Sequence, residues 1–77
     1  MEIKVLGTGC AKCKTVYAVV EKVVAEAGIS ATIVKVEDIM EIMKFNIIAT
    51  PAVVVDGVVK IKGRVPTEAE VRQALGL

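Results

Sequence analysis

Apolar positions in this chain follow a period of two in some stretches and the helical period in others, and the switches between them outline its elements. Glu2-Ile3-Lys4-Val5-Leu6 is β-branched and partly alternating, which predicts a strand. Gly7-Thr8-Gly9 predicts a turn. Over residues 11–27, Val16, Val19, Val20, Val23, Val24 and Ala27 recur on one helical face, while Glu21, Lys22 and Glu26 fall off it. Gly28 then predicts a helix stop. Residues 31–36 predict a second strand, parallel to the first through a right-handed crossover. Asp38 caps an expected short helix over 39–45, with Ile39, Ile42 and Met43 inward and Asn46 as its stop. Residues 52–55 form a third strand, and Asp56-Gly57 is a hairpin signal returning Val58 to Lys62 antiparallel to it. After Pro66, Thr67 and Glu70 have capping-box spacing and open a last helix to about Leu75, burying Val71, Ala74 and Leu75. The order is β-α-β-α-β-β-α, an α/β chain.

The totals narrow the function classes. At 77 residues the chain is expected to form one domain, 1–77. A core of this size rarely supplies more than ~3–5 kcal/mol of net stability, and the 55% hydrophobic content offsets that thinness. A net charge of +1, and Tyr17 and Phe45 as the only aromatics, argue against nucleic-acid binding. There is no histidine, which excludes Ser-His-Asp and Cys-His catalysis and His-ligated metals. Two cysteines cannot by themselves complete a four-ligand zinc site. No apolar run approaches the ~20 residues that span a bilayer, and Met1 runs into Glu2-Ile3-Lys4-Val5 without a leader pattern. A cytoplasmic protein with no membrane association is expected. In that compartment a Cys-x-x-Cys is more often catalytic or metal-binding than structural.

The chemistry is concentrated in Cys10-Ala11-Lys12-Cys13, between the first strand and the long helix. The thiolate is the attacking species in disulfide exchange. A cysteine at a helix N-terminus meets unpaired N–H groups and the positive end of the macrodipole, and both favour the anion. This position makes Cys10 the expected exposed nucleophile and Cys13, within the first turn, the more buried resolving residue. Lys12, between them, is placed to stabilise the thiolate; Lys14 follows. Two alternatives stand beside this reading: a pair of small core residues, or a soft-metal pair. Gly7-x-Gly9 resembles half of a dinucleotide fingerprint, but Lys12 occupies the third glycine position. Tyr17 reads as a half-buried packing residue. Thr50-Pro51, ahead of the third strand, reads on its own as an edge or turn feature.

Taken together, Cys10-Ala11-Lys12-Cys13, the stretch from Phe45 through Thr50-Pro51 to Asp56-Gly57, and Gly63 before the last helix resemble the thioredoxin–glutaredoxin superfamily. The chain is similar in particular to small thioredoxin-like, glutaredoxin-like redox-active disulfide proteins of archaea and bacteria, over essentially its whole length. The resemblance implies a four-stranded mixed sheet ordered 2-1-3-4, with helices on both faces and the first and third on the same one. It implies a cis Thr50-Pro51 bond, which would leave the Thr50 backbone to pair with an extended substrate. It implies a thiol–disulfide oxidoreductase working as a reductant on protein disulfides, fed by a thioredoxin reductase or an equivalent donor. The expected protein is a monomer with no bound cofactor beyond a reversible Cys10–Cys13 disulfide. The chain also departs from thioredoxins: Gly9 and Ala11-Lys12 replace the aromatic and Gly-Pro, and Lys4 stands where thioredoxins carry a buried acid. The proton acceptor for Cys13 is therefore open among water, Glu37 and Asp38. The main rival is a copper-binding or copper-chaperone module, which also carries Cys-x-x-Cys after its first strand. That fold runs β-α-β-β-α-β and has a methionine where this chain has Thr8.

Overall fold

The computed structural model describes residues 1–8, 11–47 and 50–77. In chain order the elements are β1 (Glu2–Leu6), α1 (Ala11–Ala27), β2 (Thr32–Val36), α2 (Ile39–Met43), β3 (Ala52–Val55), β4 (Val58–Lys62) and α3 (Glu68–Ala74). The sheet order is β2-β1-β3-β4. β1 runs parallel to β2 and antiparallel to β3, and β3 is antiparallel to β4. This is the mixed 2-1-3-4 sheet of a minimal thioredoxin fold. It differs from the β-α-β-β-α-β order of copper-chaperone modules.

Burial along each strand follows its place in the sheet. All four residues of β3 are buried, as expected of a central strand covered on both faces. The edge strands β2 and β4 keep exposed positions along their length. One face carries Ile3, Val5, Val53, Val55 and Ile61 against Val16, Val20 and Val23 of α1 and Val71 and Leu75 of α3. The other carries Leu6, Ala52 and Val54 against Ile42 and Ile47. Helices thus lie on both faces, with α1 and α3 together.

Local chemistry explains the element ends. Gly28 adopts φ 65° and its N–H donates to the Val24 and Ala25 carbonyls, closing α1. Asp56 and Gly57 both have positive φ (47° and 84°), the twist that suits a two-residue hairpin. Asp56 also ties this turn to β1: its Oδ1 accepts the Glu2 N–H at 2.8 Å, and its own N–H donates to the Glu2 carbonyl at 2.9 Å. A register shift between Val53 and Val54 marks a bulge opposite them in β4.

Four sequence expectations need correction. β2 begins at Thr32, one residue late, and Ala74 is half-buried rather than buried. α2 ends at Met43, and residues 44–46 form a tightened turn that closes on Asn46 at φ 56°. Of the three α2 residues expected inward, only Ile42 is buried; Ile39 and Met43 are 59% and 60% exposed. The helix is too short to lay a full stripe on the sheet, and these two residues flank an open groove instead.

The last helix shows the predicted capping box. Glu70 N–H donates to Thr67 Oγ1 (3.2 Å), and Thr67 N–H donates to Glu70 Oε1 (3.0 Å). Thr67→Ala leaves an amide of the first turn without its acceptor and is expected to cost about 1 kcal/mol by urea denaturation; an unchanged midpoint would contradict the cap. Arg64 pairs with the other Glu70 oxygen. The Arg64 guanidinium first, and the Thr67 N–H second, hold the Glu70 carboxyl down at about 2, against 4.5 when unperturbed. A depressed carboxyl stabilises the fold above its unfolded value and loses that contribution as pH falls through its folded value. The thermal stability advantage of wild type over Glu70→Gln is therefore expected in full above pH 4.5 and lost as pH drops to about 2. An advantage constant over that window would refute it.

Candidate functional site

The pairing of β1 with β3 decides where the chemistry gathers. Leu6, at the end of β1, is in register with Ala52, at the start of β3. The segment leaving β1 toward the cysteines and the Thr50-Pro51 segment entering β3 therefore emerge at the same end of the sheet. Val36, at the end of β2, pairs with Leu6 at that end too. Ligand sites of open α/β sheets sit at such carboxyl ends of parallel strands.

Cys13 lies in the first turn of α1, on the stripe that continues through Val16, Val20 and Val23 into the core. Helical spacing turns this residue inward and leaves Lys12 and Lys14, its neighbours, exposed. Cys13 is 6% exposed. Its sulfur packs on Gly7, where an added β-carbon would overlap Sγ. Gly7 is itself fixed to β2, its N–H donating to the Val36 carbonyl at 3.0 Å. The expected nucleophile, Cys10, lies outside the described residues.

Beside Cys13 is a pocket of about 180 Å³, lined by Val5, Gly7, Cys13, Lys14, Lys35 and Glu37. The Lys35 ammonium sits 4.6 Å from the centre of the Tyr17 ring, a cation–π contact that holds it on the α1 side of the sheet. Tyr17 is one turn beyond Cys13, half-buried as its spacing suggested. Asp38, weighed with Glu37 as a proton acceptor, is diverted: its Oδ1 accepts the Met40 N–H at 2.9 Å as the cap of α2. Lys4, in the place of the thioredoxin acid, lies 5.4 Å from the Phe45 ring, on the α2 side.

Thr50-Pro51 is a cis peptide, with Pro51 buried and Thr50 exposed. Thr50 and Thr8 line a groove together with Ile39, Ile42, Met43 and Ile47. Sequence reasoning noted Gly7 only in a turn and a discounted glycine pair, and did not single out Lys35. The signal was available for Lys35: Ile33, Lys35 and Glu37 share one face by the strand period of two. For Gly7 there was none, because only the docked helix brings Cys13 onto it. Among the described residues no group of three or more His, Cys, Asp or Glu side chains is placed to hold a metal ion. No helix among them is long and apolar enough to cross a membrane.

A family model described as a thioredoxin domain matches residues 1–76. Thioredoxin from Methanocaldococcus jannaschii is 42% identical over 73 residues, covering 95% of this chain and 84% of its own length. Thioredoxin from Methanothermobacter thermautotrophicus is 36% identical over 75 residues, covering 97% of each chain. The chain belongs to the thioredoxin family. It is a small thioredoxin-like protein of the thiol–disulfide redox class.

Proposed function

We propose that this protein reduces disulfides in other proteins through a Cys10–Cys13 dithiol. The observation that carries the reading is the placement of Cys13: nearly covered, in the first turn of α1, against Gly7, at the sheet end where Thr50-Pro51 enters β3. A sulfur so covered is poorly suited to meet a partner and well suited to displace one held by a neighbour three residues earlier in sequence.

The Cys10 thiolate attacks one sulfur of the partner's disulfide, and the other sulfur leaves as a thiolate that takes a proton. Cys13, deprotonated in turn, attacks the Cys10 sulfur of the mixed disulfide. The Cys10–Cys13 bond forms, the second partner sulfur leaves, and two electrons have passed to the partner. Lys12, exposed on the first turn of α1, follows Cys10 by two residues in sequence and supplies a positive charge that favours its thiolate. Thr50, exposed beside Pro51, offers backbone groups to an extended segment of the partner. The adjoining groove and the exposed Ile39, Met40 and Met43 give that segment an apolar seat, which favours protein over small-molecule disulfides.

The cycle closes when a thioredoxin reductase or an equivalent donor returns two electrons to the Cys10–Cys13 disulfide, and no bound cofactor takes part. Residues 1–77 act as one domain, as a monomer, in the cytoplasm. The test is insulin reduction with dithiothreitol as electron source. The protein should bring forward the onset of B-chain precipitation; onset no earlier than with dithiothreitol alone sinks the proposal.

A further inference from the structure

We infer that Glu37 takes the proton from Cys13 when that thiol resolves the mixed disulfide, an inference that rests on the disulfide-exchange reading above. A thiol that is 6% exposed can release its proton into the space it borders. That space is the pocket beside Cys13, and Glu37 is the one carboxylate among the described residues that line it. The chain path brings Glu37 there. Cys13 Sγ packs on Gly7, Gly7 N–H bonds the Val36 carbonyl, and Glu37 is the next residue. The other acids considered are turned away. Asp38 is occupied by the Met40 N–H, and the position of the thioredoxin acid holds Lys4, which faces the opposite side of the sheet.

The remaining charged groups on the pocket are cations, Lys14 from α1 and Lys35 from β2, the latter held against Tyr17. Both favour the thiolate once it forms. A pocket of about 180 Å³ has room for water, whose share of liquid volume is about 30 Å³. A single water is enough to carry a proton from sulfur to carboxylate. In the step, the Cys13 S–H bond breaks and Glu37 gains the proton. The freed sulfur pair forms the bond to Cys10, and the Cys10–partner bond breaks with its electrons leaving on the partner sulfur. Glu37 then returns the proton to the departing thiolate or to solvent.

The two roles Glu37 could play differ in sign. A carboxylate acting only as a nearby negative charge opposes the thiolate, so Glu37→Gln would speed resolution. A carboxylate acting as proton acceptor is needed, so Glu37→Gln would slow it. The reduced protein is mixed with 5,5′-dithiobis(2-nitrobenzoate) in a stopped-flow instrument. The first thionitrobenzoate release reports bimolecular attack by Cys10 and serves as the internal reference. The second reports unimolecular resolution by Cys13. The expected result is a second phase slowed by about tenfold or more in Glu37→Gln, with partial recovery in Glu37→Asp. The second phase of Glu37→Gln should also rise about tenfold per pH unit below the thiol range, as free thiolate does, while that of wild type rises less steeply. A second phase equal to or faster than wild type in Glu37→Gln overturns the assignment. A wild-type protein that releases no second thionitrobenzoate overturns the exchange reading itself, and the assignment with it.

Discussion

Cys10→Ser is expected to abolish insulin reduction, lowering the rate to that of dithiothreitol alone. The protein's own contribution above that baseline is expected to fall on the order of a thousandfold or more, as when other enzymes lose a nucleophile. A serine hydroxyl at the same place is not ionised at neutral pH and cannot form the mixed disulfide. Cys13 cannot take over, because it is buried on the core stripe of α1 and packed on Gly7. Cys13→Ser should fail differently. Cys10 still attacks, but the mixed disulfide has no resolving sulfur, and the protein should accumulate as a covalent complex visible on non-reducing gels. Appreciable turnover by Cys10→Ser would move the nucleophile to Cys13 and sink the proposed roles. Equal trapping by both variants would mean that the two sulfurs are interchangeable, which the burial of Cys13 argues against.

The second large effect is expected from Gly7→Ala. The added methyl would overlap Cys13 Sγ, so the first turn of α1 or the end of β1 must shift. Overpacking of this kind costs about 1–3 kcal/mol. Against the ~3–5 kcal/mol that a core of this size rarely exceeds, that is a large fraction. In a chain of this length each kcal/mol lowers the melting temperature by roughly 4–8 °C. The same shift moves the resolving sulfur, so resolution should slow as well. A double-mutant cycle separates this cause from general damage. Cys13→Ala removes the sulfur that the new methyl meets, so Gly7→Ala should cost much less in that background. Equal costs in both backgrounds would show that the contact between Gly7 and Cys13 is not the reason for the glycine.

Much of the fold could be read in advance, because it rests on local rules. The α1 stripe, the Asp56-Gly57 hairpin, the Gly28 stop and the Thr67–Glu70 box all depend on residues within a few positions of one another. The α2 region resisted for the complementary reason. Ile39, Ile42 and Met43 have the spacing of a buried face, but whether such a face is buried depends on what the rest of the chain places opposite it. For Ile39 and Met43 that is a groove. The candidate site divides in the same way. Cys13, Thr50 and Pro51 were named from sequence, and the structure brings their segments to one end of the sheet. The pocket formed by Gly7, Lys35 and Glu37 beside Cys13 joins residues far apart in the chain.

From the sequence by itself came the element order, the inward turn of one cysteine and the presence of a Cys-x-x-Cys pair, since periodicity and residue chemistry act over short spans. Only the tertiary structure decided which acid lines the same pocket as the buried sulfur, because strand register and helix docking set that arrangement. Asp38 and Glu37 are adjacent in sequence and equivalent in charge. One caps a helix and the other borders the pocket, and the difference is the direction in which the end of β2 points each side chain.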